Sequence, residues 1–318
     1  MIYNDFHYER LDLEKSKYLI NEVISDFKNA KSADKQIEAI KMVDNFSRDY
    51  MTYQAMASLN FSRNINDVDA KAEKDYYDSI SPDMTELYDK FDKVLHESKF
   101  KQNIIDEYGN TFLNQIEISL KTFDSKIKNL LKREIELKND YTKLTAGAKI
   151  NFEGKDYNLA GLGPFHSDTN RDIRKKSYEA RYRWFKNNEQ ELDNIYDKLV
   201  KLRHKIAVTL GYENFIKLGY DRMGRSDYGP EEVSNFRKQI VEQVVPIVSK
   251  LHDQKKDILG LDKLYFYDGI NFRDGDPKPK GTPNELIKAA QEMYHELSPE
   301  TGEFFDKMVN EELMDLVN

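Results

Sequence analysis

The sequence predicts a mainly α-helical, elongated fold of many helices, with one small β hairpin and one additional short strand. Amphipathic stripes with a period near 3.6 residues run through most of the chain, and four segments place a proline just behind a turn or capping residue. Only short stretches alternate apolar and polar residues. With 39% hydrophobic and 12% aromatic residues among 318, the chain is too apolar to be disordered, so we expect it to fold.

Apolar stripes predict the first two helices. Ile20, Val23 and Phe27 fall on one face of the stretch from Glu14 to Asn29. The stretch from Ile37 to Ala57 repeats the pattern. We expect both stretches to form amphipathic helices that pack on one side.

Helix starts are predicted at four prolines: Pro82, Pro230, Pro283 and Pro299. Proline suits the first helical position because its missing N–H would have no partner there. Thr282 and Glu285 also fit a capping box, in which each side chain accepts a hydrogen bond from the other residue's backbone.

Two glycines predict helix ends, because glycine readily adopts the left-handed conformation found there. Gly109 follows the run 104–108, and Gly211 closes a long run from about residue 189 to residue 210. Long helices are therefore expected between residues 81 and 211.

Strands are predicted in two places. In residues 149–159, Ile150 and Phe152 alternate with polar residues, and the turn-forming residues 153–156 divide the stretch into a hairpin. Residues 263–268 crowd apolar and aromatic side chains into a short segment, which predicts a second short strand.

The last segment, residues 298–318, carries an apolar stripe almost to its final residue. Phe305 and Val309 belong to this stripe, and Leu316 and Val317 continue it. No Gly, Pro or basic cap closes the pattern. We expect the chain to be cut short, although natural carboxyl termini also fray.

Composition and charge narrow the class of protein. Lys and Arg total 49 against 57 Asp and Glu, which gives a net charge of −8, and no basic block occurs. Nucleic acid is therefore not an expected partner, because affinity for a polyanion requires concentrated positive charge. No apolar run is long enough to span a bilayer.

The expected location is the cytoplasm. Residues 1–7 have neither a basic region nor an apolar region of the kind that marks a chain for export. The sequence contains no cysteine, which fits a reducing compartment and excludes disulfides and thiolate chemistry.

The histidines do not form a metal-binding motif. A zinc helix of the His-Glu-x-x-His type needs two histidines four residues apart. His96 and His295 are each followed by a glutamate, but neither has the second histidine, and Pro299 would interrupt the second helix. No catalytic and no metal-ligating residue is therefore assigned, while a site assembled from distant residues stays open.

Other catalytic patterns are also missing. No serine lies in a Gly-x-Ser-x-Gly elbow, and the glycines of residues 161–164 lack the lysine and hydroxyl residue of a phosphate loop. We interpret residues 161–164 as the exit from the hairpin.

Although no catalytic motif is present, an ordered series of segments does indicate a family. The runs HKIAVTLGYENF (residues 204–215) and GYDRMGRSDYG (residues 219–229) resemble the segment before the catalytic region of M3 family zinc peptidases, the thimet oligopeptidase and oligoendopeptidase F type. The resemblance continues in the same order through residues 233–236, 245–247, 259–262, 267–268 and 294–301. Nearer the amino terminus, the hairpin and the residues 168–175 that follow it look like the helical lobe of that family. It covers residues 149–318 well and the first half more loosely.

The resemblance implies a domain organisation. Residues 1–148 would be an amino-terminal helical region. Residues 149–318 would be a hairpin and helical region leading into the zinc-binding half, which this chain lacks.

The resemblance also implies an activity. Members of the family have a helical fold split by a deep channel, where zinc-activated water hydrolyses short unstructured peptides. The family's zinc ligands and catalytic glutamate lie beyond the matched region, so none can be assigned here. Zinc is expected for the complete enzyme, and this chain alone is expected to bind no catalytic zinc and to be inactive. Its expected partners are short peptides and the missing carboxyl-terminal half.

Six residues could line a peptide channel, since tyrosine offers both apolar area and a hydroxyl group: Tyr220, Arg222, Arg225, Tyr228, Tyr265 and Tyr267. The alternative, favoured by the general frequency of aromatic burial, is that they pack between lobes. Two other interpretations of the whole chain stay open: a non-catalytic peptide-binding module, and a purely structural helical protein.

Overall fold

The computed structural model describes residues 6–314 and confirms a mainly helical fold with one hairpin. The elements in chain order are α1 (Leu13–Asn29), α2 (Ala33–Arg63), α3 (Val68–His96), α4 (Lys101–Tyr108), α5 (Asn110–Thr122), a 3-10 turn (Ser125–Ile127), α6 (Lys128–Ala146), β1 (Ile150–Phe152), β2 (Lys155–Tyr157), α7 (Gly163–His166), α8 (Arg171–Asn187), α9 (Glu189–Thr209), α10 (Phe215–Arg222), α11 (Pro230–Gln239), a π-helical turn (Ile240–Val244), α12 (Val245–Leu259), α13 (Pro283–Leu297) and α14 (Pro299–Asn310).

The chain divides into two compact units. The larger comprises residues 10–273, and the smaller combines residues 6–9 with residues 274–314 among those described. Residues 148 and 149, between which the sequence predicts a domain boundary, both lie in the larger unit. The division into residues 1–148 and 149–318 stays a prediction.

The first two helices form as predicted. Asp12 caps α1 by accepting hydrogen bonds from the amides of the first turn, and Ser32 does the same for α2. The stripe of α1 is buried, and Phe27 makes an edge-to-face contact with Phe91 of α3 at 5.5 Å between ring centroids. Apolar burial therefore joins α1 to α3.

The predicted helix start at Pro82 is wrong, because α3 begins at Val68 and continues through the proline to His96. A proline inside a helix costs about 3 kcal/mol. Pro82 is itself buried, and the same helix buries Tyr77 and Met84 on either side of it. Burial of large side chains contributes about 1.5–3 kcal/mol each, so packing outweighs the lost backbone hydrogen bond.

The other three proline starts are confirmed, since α11, α13 and α14 begin at Pro230, Pro283 and Pro299. The capping box before α13 is also present. The amide of Thr282 donates to the Glu285 carboxylate at 2.7 Å, and the amide of Glu285 donates to the Thr282 hydroxyl at 3.4 Å. Local rules are sufficient to place these starts.

The predicted helix ends at glycine are confirmed. Gly109 separates α4 from α5 with φ of 83°, and Gly211 follows α9 with φ of 87°. The last helix, α14, ends at Asn310, earlier than the apolar stripe predicts. Leu316 and Val317 lie outside the described residues, as do residues 1–5 of the segment inspected for an export signal.

The predicted hairpin is confirmed. β1 and β2 pair antiparallel, with Ile150 opposite Tyr157 and Phe152 opposite Lys155. Glu153 and Gly154 form the turn, both with positive φ. The turn is shorter than predicted, because residues 155 and 156 already belong to β2.

The second predicted strand, residues 263–268, is wrong. Among residues 6–314 the sheet contains two strands only, β1 and β2. The segment instead forms a turn, in which the Asp268 amide donates to the Tyr265 carbonyl at 2.9 Å and the Tyr265 amide donates to the Asp268 carboxylate at 2.8 Å. A carboxylate that binds nearby backbone amides competes with strand pairing.

None of the residues in the helical segment 230–259 is buried, and the same is true of α7 and α13. The exposed apolar side chains of residues 230–259 include Phe236, Val241, Ile247 and Leu251. The π-helical turn lies just before Pro246, and the Val245 amide there donates to the Ile240 carbonyl five residues earlier. Within residues 6–314, no helix combines the length and the hydropathy needed to cross a bilayer.

Candidate peptide-binding site

Helix α10 carries two of the six candidate residues and is anchored by its neighbours. Asn214 caps its start by accepting a hydrogen bond from the Ile216 amide at 2.9 Å. Leu218 is fully buried in one cluster with Ile127 and Ile206. The position of α10 is therefore set by contacts with α9 and with the turn before α6.

Tyr220, Arg225 and Tyr228 come together in one stack. The guanidinium carbon of Arg225 lies 4.7 Å from the ring centroid of Tyr220 and 5.3 Å from that of Tyr228. Contacts of this kind contribute about 0.5–1 kcal/mol at exposed sites. Gly224 turns the chain with φ of 68°, and Gln115 of α5 donates to its carbonyl at 2.9 Å. We call these three side chains the Arg225 stack.

Arg222 lies beside this stack in sequence but belongs to a different network. Its guanidinium donates to one oxygen of Glu134 at 2.9 Å, and Arg203 donates to the other at 2.8 Å. Glu134 is only 3% exposed. Burial opposes its ionisation, but the bonds from Arg203 and Arg222 outweigh burial and lower the pKa of Glu134. Arg222 thus joins α10 to α6.

Tyr265 and Tyr267 form a second stack. Their rings are parallel with centroids 5.4 Å apart, and the Arg171 guanidinium carbon lies 5.7 Å from Tyr265 and 5.3 Å from Tyr267. Tyr265 is 47% exposed and Tyr267 only 9%. We call these three side chains the Arg171 stack.

A buried ion network holds the Arg171 stack in place. Asp268 accepts two hydrogen bonds of 2.8 Å from Arg171, and Arg174 lies 3.3 Å away. The side chain of Asp268 has no exposed area. Burial opposes its ionisation, but the bonds from Arg171 and from the Tyr265 amide outweigh burial and lower the pKa of Asp268. Sequence reasoning missed these residues, because no local pattern joins Arg171 to Asp268.

The six candidates therefore fall into three settings. Tyr220, Arg225 and Tyr228 form one stack, Tyr265 and Tyr267 belong to a second, and Arg222 belongs to a buried ion network. Burial of Tyr267 and pairing of Arg222 agree with a packing role for these two. The assignment of the six residues to a peptide channel stays a prediction.

A groove of about 710 Å³ opens beside the Arg225 stack. Its walls come from α5, the turn before α6, the end of α9 and the helix α10. We call it the α5–α10 groove. Arg225 and Tyr212 line it, and Asp221 lines both this groove and a second one of about 660 Å³ that contains Arg222 and Glu134.

The two near-matches to a zinc helix each bind a single carboxylate. His96 Nε2 lies 3.4 Å from Glu117, and His295 Nε2 lies 2.9 Å from Asp306. In residues 6–314, no group of three or more His, Asp or Glu side chains could hold a metal ion. The donor set of these residues does not fit the zinc site of a peptidase. The expectation that the chain alone binds no catalytic zinc stays a prediction.

His166 has an aromatic environment. Its ring stacks on Tyr178 at 4.0 Å between centroids, and its Nε2 atom is buried. Burial, followed by the nearby charge of Arg181, lowers the pKa of His166. Its surroundings are those of a packed ring.

Two family models match the sequence. The Peptidase M3 N-terminal domain matches residues 3–123, and Peptidase family M3 matches residues 165–296. Both models describe the family that the sequence resembles, and the first extends the match over the amino-terminal region. A search of curated proteins returned no match.

Solved structures agree with the family models. A 3.1 Å X-ray structure described as an oligoendopeptidase F superposes with a TM-score of 0.96 at 38% identity, covering 100% of this chain and 56% of that one. PZ peptidase A with an inhibitor gives 0.95 at 40%, covering 99% and 56%. A structure described as an oligoendopeptidase F from Bacillus anthracis gives 0.95 at 36%, covering 100% and 59%. The chain thus spans less than two thirds of the length of each.

Proposed function

The chain belongs to peptidase family M3, and on this premise we propose that it forms the helical part of a zinc endopeptidase that hydrolyses short, unstructured peptides. The printed sequence contains no His-Glu-x-x-His. We therefore propose that residues outside this chain supply the zinc ligands, and that the chain alone cleaves no peptide.

The helical segment of residues 230–259 carries this proposal. It has no buried residue, yet Phe236, Val241, Ile247 and Leu251 are each more than half exposed. Several large apolar side chains exposed on one segment support an interaction site there. The structures that superpose on this chain are longer, so their further residues provide a candidate cover for it.

In this proposal, the residues outside this chain hold the zinc ion and this chain binds the peptide. Zinc, when bound in a complete enzyme of this family, polarises the scissile carbonyl and lowers the pKa of the attacking water. The described residues hold no such donor set, so their role in the proposal is to bind and orient the peptide. Short peptides and the zinc-ligating portion are the proposed partners.

Reconstitution tests the proposal. The 318-residue chain is mixed with the carboxyl-terminal portion of a similar oligoendopeptidase F and zinc, and cleavage of a quenched fluorescent peptide is measured. We expect cleavage in the mixture, none with either part alone, and loss of cleavage with a chelator. Co-elution on size exclusion shows whether the two parts associate. Cleavage by this chain alone, or an associated and folded mixture without cleavage, would contradict the proposal.

A pair of variants sharpens this test. Leu251→Glu places a charge on the exposed apolar surface, and Ser249→Glu places the same charge at a polar, exposed position on the opposite side of the helix from Ile247 and Leu251. We expect Leu251→Glu to reduce association and cleavage by about tenfold or more, since a buried unpaired charge costs several kcal/mol. Ser249→Glu should have a much smaller effect. Equal effects would argue against burial of this surface.

A non-catalytic peptide-binding module is the second candidate. The Arg225 stack favours it, because this stack offers aromatic surface and a cation without any metal ligand. Calorimetry with unstructured peptides separates the two candidates. A module of this kind binds peptides equally with and without chelator and gains no cleavage on reconstitution.

We also propose a cytoplasmic location and no nucleic-acid partner. The absence of cysteine supports the first, and the net charge of −8 supports the second. Fractionation of cells that produce the chain would test the location.

A further inference from the structure

The α5–α10 groove has more positive than negative charge. Its charged lining residues are Lys121, Lys126, Lys217, Arg225, Asp124 and Asp221. Four cations therefore face two carboxylates, in a chain whose net charge is −8. An excess of cations in a concave surface attracts anionic ligands.

Both carboxylates of the groove have their own partners. Asp221 accepts from Lys217 at 2.8 Å on one oxygen and from the Tyr212 hydroxyl at 2.8 Å on the other. Asp124 accepts from the Lys126 amide at 2.8 Å, and its other oxygen lies 3.6 Å from the Lys126 ammonium. Lys217 and Lys126 thus neutralise the two anions.

Lys121 and Arg225 carry the uncompensated charge. Over residues 6–314, neither forms an ion pair with a carboxylate. Lys121 is exposed at the end of α5, while Arg225 is half-buried. Lys121 can rotate toward a ligand, whereas the position of Arg225 is already set by its neighbours.

Arg225 is held for binding by its two rings. Tyr220 and Tyr228 contact the guanidinium through their faces, which leaves its N–H groups at the edge free to donate. A guanidinium edge matches the geometry of a carboxylate, with two parallel hydrogen bonds. An arginine that is already ordered loses less conformational entropy on binding.

We infer that the α5–α10 groove binds a carboxylate group of a peptide, with Arg225 as the main ligand and Lys121 as a second cation. This inference rests on the proposed function, because it takes the ligand to be a peptide. Every unmodified oligopeptide has a terminal carboxylate, and aspartate or glutamate side chains carry the same group. The site would therefore add a charge preference to a peptidase or a peptide-binding module.

Fluorescence anisotropy on the 318-residue chain tests the inference. Three labelled peptides share one neutral core: the first has a free carboxyl terminus, the second is amidated, and the third is amidated and contains one glutamate. We expect the first or third to bind about fivefold or more tightly than the second at low salt, and the difference to shrink as salt rises. Preference for the first identifies the terminal carboxylate, and preference for the third identifies a side chain.

Variants show which residues of the groove cause the preference for peptides that carry a carboxylate. Arg225→Gln should abolish the difference between the peptides, Arg225→Lys should retain part of it, and Lys121→Gln should reduce it. Arg183→Gln is the matched control, because Arg183 is exposed on α8 and lies outside the groove. Circular dichroism shows whether each variant is folded.

Three outcomes would overturn the inference: equal binding of the three peptides, a preference that Arg225→Gln leaves unchanged, or no binding at all. The proposed function is tested separately, by cleavage in the reconstituted mixture. Cleavage without any preference for a carboxylate would remove only the inference. Absence of cleavage in an associated mixture would remove the proposed function, and a carboxylate preference measured by anisotropy would still stand.

Discussion

Arg171 and Arg225 lie over pairs of tyrosine rings in the same way but differ in how their charges are neutralised. Arg171 contacts Tyr265 and Tyr267 and also binds the buried Asp268 with two hydrogen bonds of 2.8 Å. Arg225 contacts its own two tyrosines and, within the described part of the chain, has no carboxylate partner. Both stacks contain cation–π contacts, but only the Arg171 stack also contains a carboxylate.

This difference separates a structural contact from a binding surface. The carboxylate of Asp268 binds the start of α8 to the loop at residues 261–270, so the charge of Arg171 is already used within the fold. The charge of Arg225 is available to a ligand. Variants of the two stacks should therefore affect different properties: stability for the Arg171 stack and ligand affinity for the Arg225 stack.

The largest expected effect follows Asp268→Asn. The substitution leaves Arg174, which is only 2% exposed, without its carboxylate. Removing one partner of a buried ion pair costs about 3–5 kcal/mol. We expect the free energy of unfolding, measured by urea titration, to fall by that amount. Asp262→Asn, in the same loop but exposed, is the matched control and should change stability by less than about 0.5 kcal/mol. Equal effects would mean that the Arg171 stack owes no stability to its carboxylate.

The second expected effect is that the stability contributed by Asp268 depends on pH. The folded pKa of Asp268 lies below the ordinary value of 3.8, so its ionised form is favoured by folding. The stability it contributes is fully present above that ordinary value and is lost as the pH falls through the folded value. We expect the difference in unfolding free energy between the original chain and Asp268→Asn to be constant from about pH 7 to pH 5 and to narrow below about pH 4.

Subtracting the unfolding free energy of Asp268→Asn from that of the original protein cancels the contributions of the other titrating groups. Burial raises the pKa of Asp92 to about 6, which has the opposite sign: its contribution to stability falls as the pH rises toward that value. Asp92 is present in both chains, so its effect cancels. A gap between the chains that stays constant down to pH 3 would contradict the assignment to Asp268.

The two stacks also show what sequence can and cannot predict. Stripes such as Ile20, Val23 and Phe27, and the prolines at the starts of α11 and α13, act through neighbours within a few residues, so their patterns predict the helices correctly. Arg171 and Asp268 are 97 residues apart, and no periodicity joins them. The Asp268 carboxylate also accepts a hydrogen bond from the Tyr265 amide, and this local bond closes the turn at residues 263–268 in place of the predicted strand.

Burial likewise explains the error at Pro82. A local rule places proline at a helix start, but the apolar side chains around Pro82 are buried together in α3, and that burial depends on residues far away in sequence. The candidate site shows the same division. Tyrosines and arginines can be selected from sequence, but only the fold shows that Arg222 pairs with Glu134 while Arg225 does not.

The smallest expected effect completes the comparison. Arg225→Gln removes two cation–π contacts at a half-exposed site, so the free energy of unfolding should fall by no more than about 1–2 kcal/mol, since each contact contributes about 0.5–1 kcal/mol. The loss should not vary with pH between 4 and 7, because no carboxylate in the described residues pairs with Arg225. Urea titrations of Arg225→Gln and Asp268→Asn side by side measure the contrast. A loss of 3 kcal/mol or more for Arg225→Gln would show that its charge, like that of Arg171, is needed to hold the fold together, and that it is not free for a ligand.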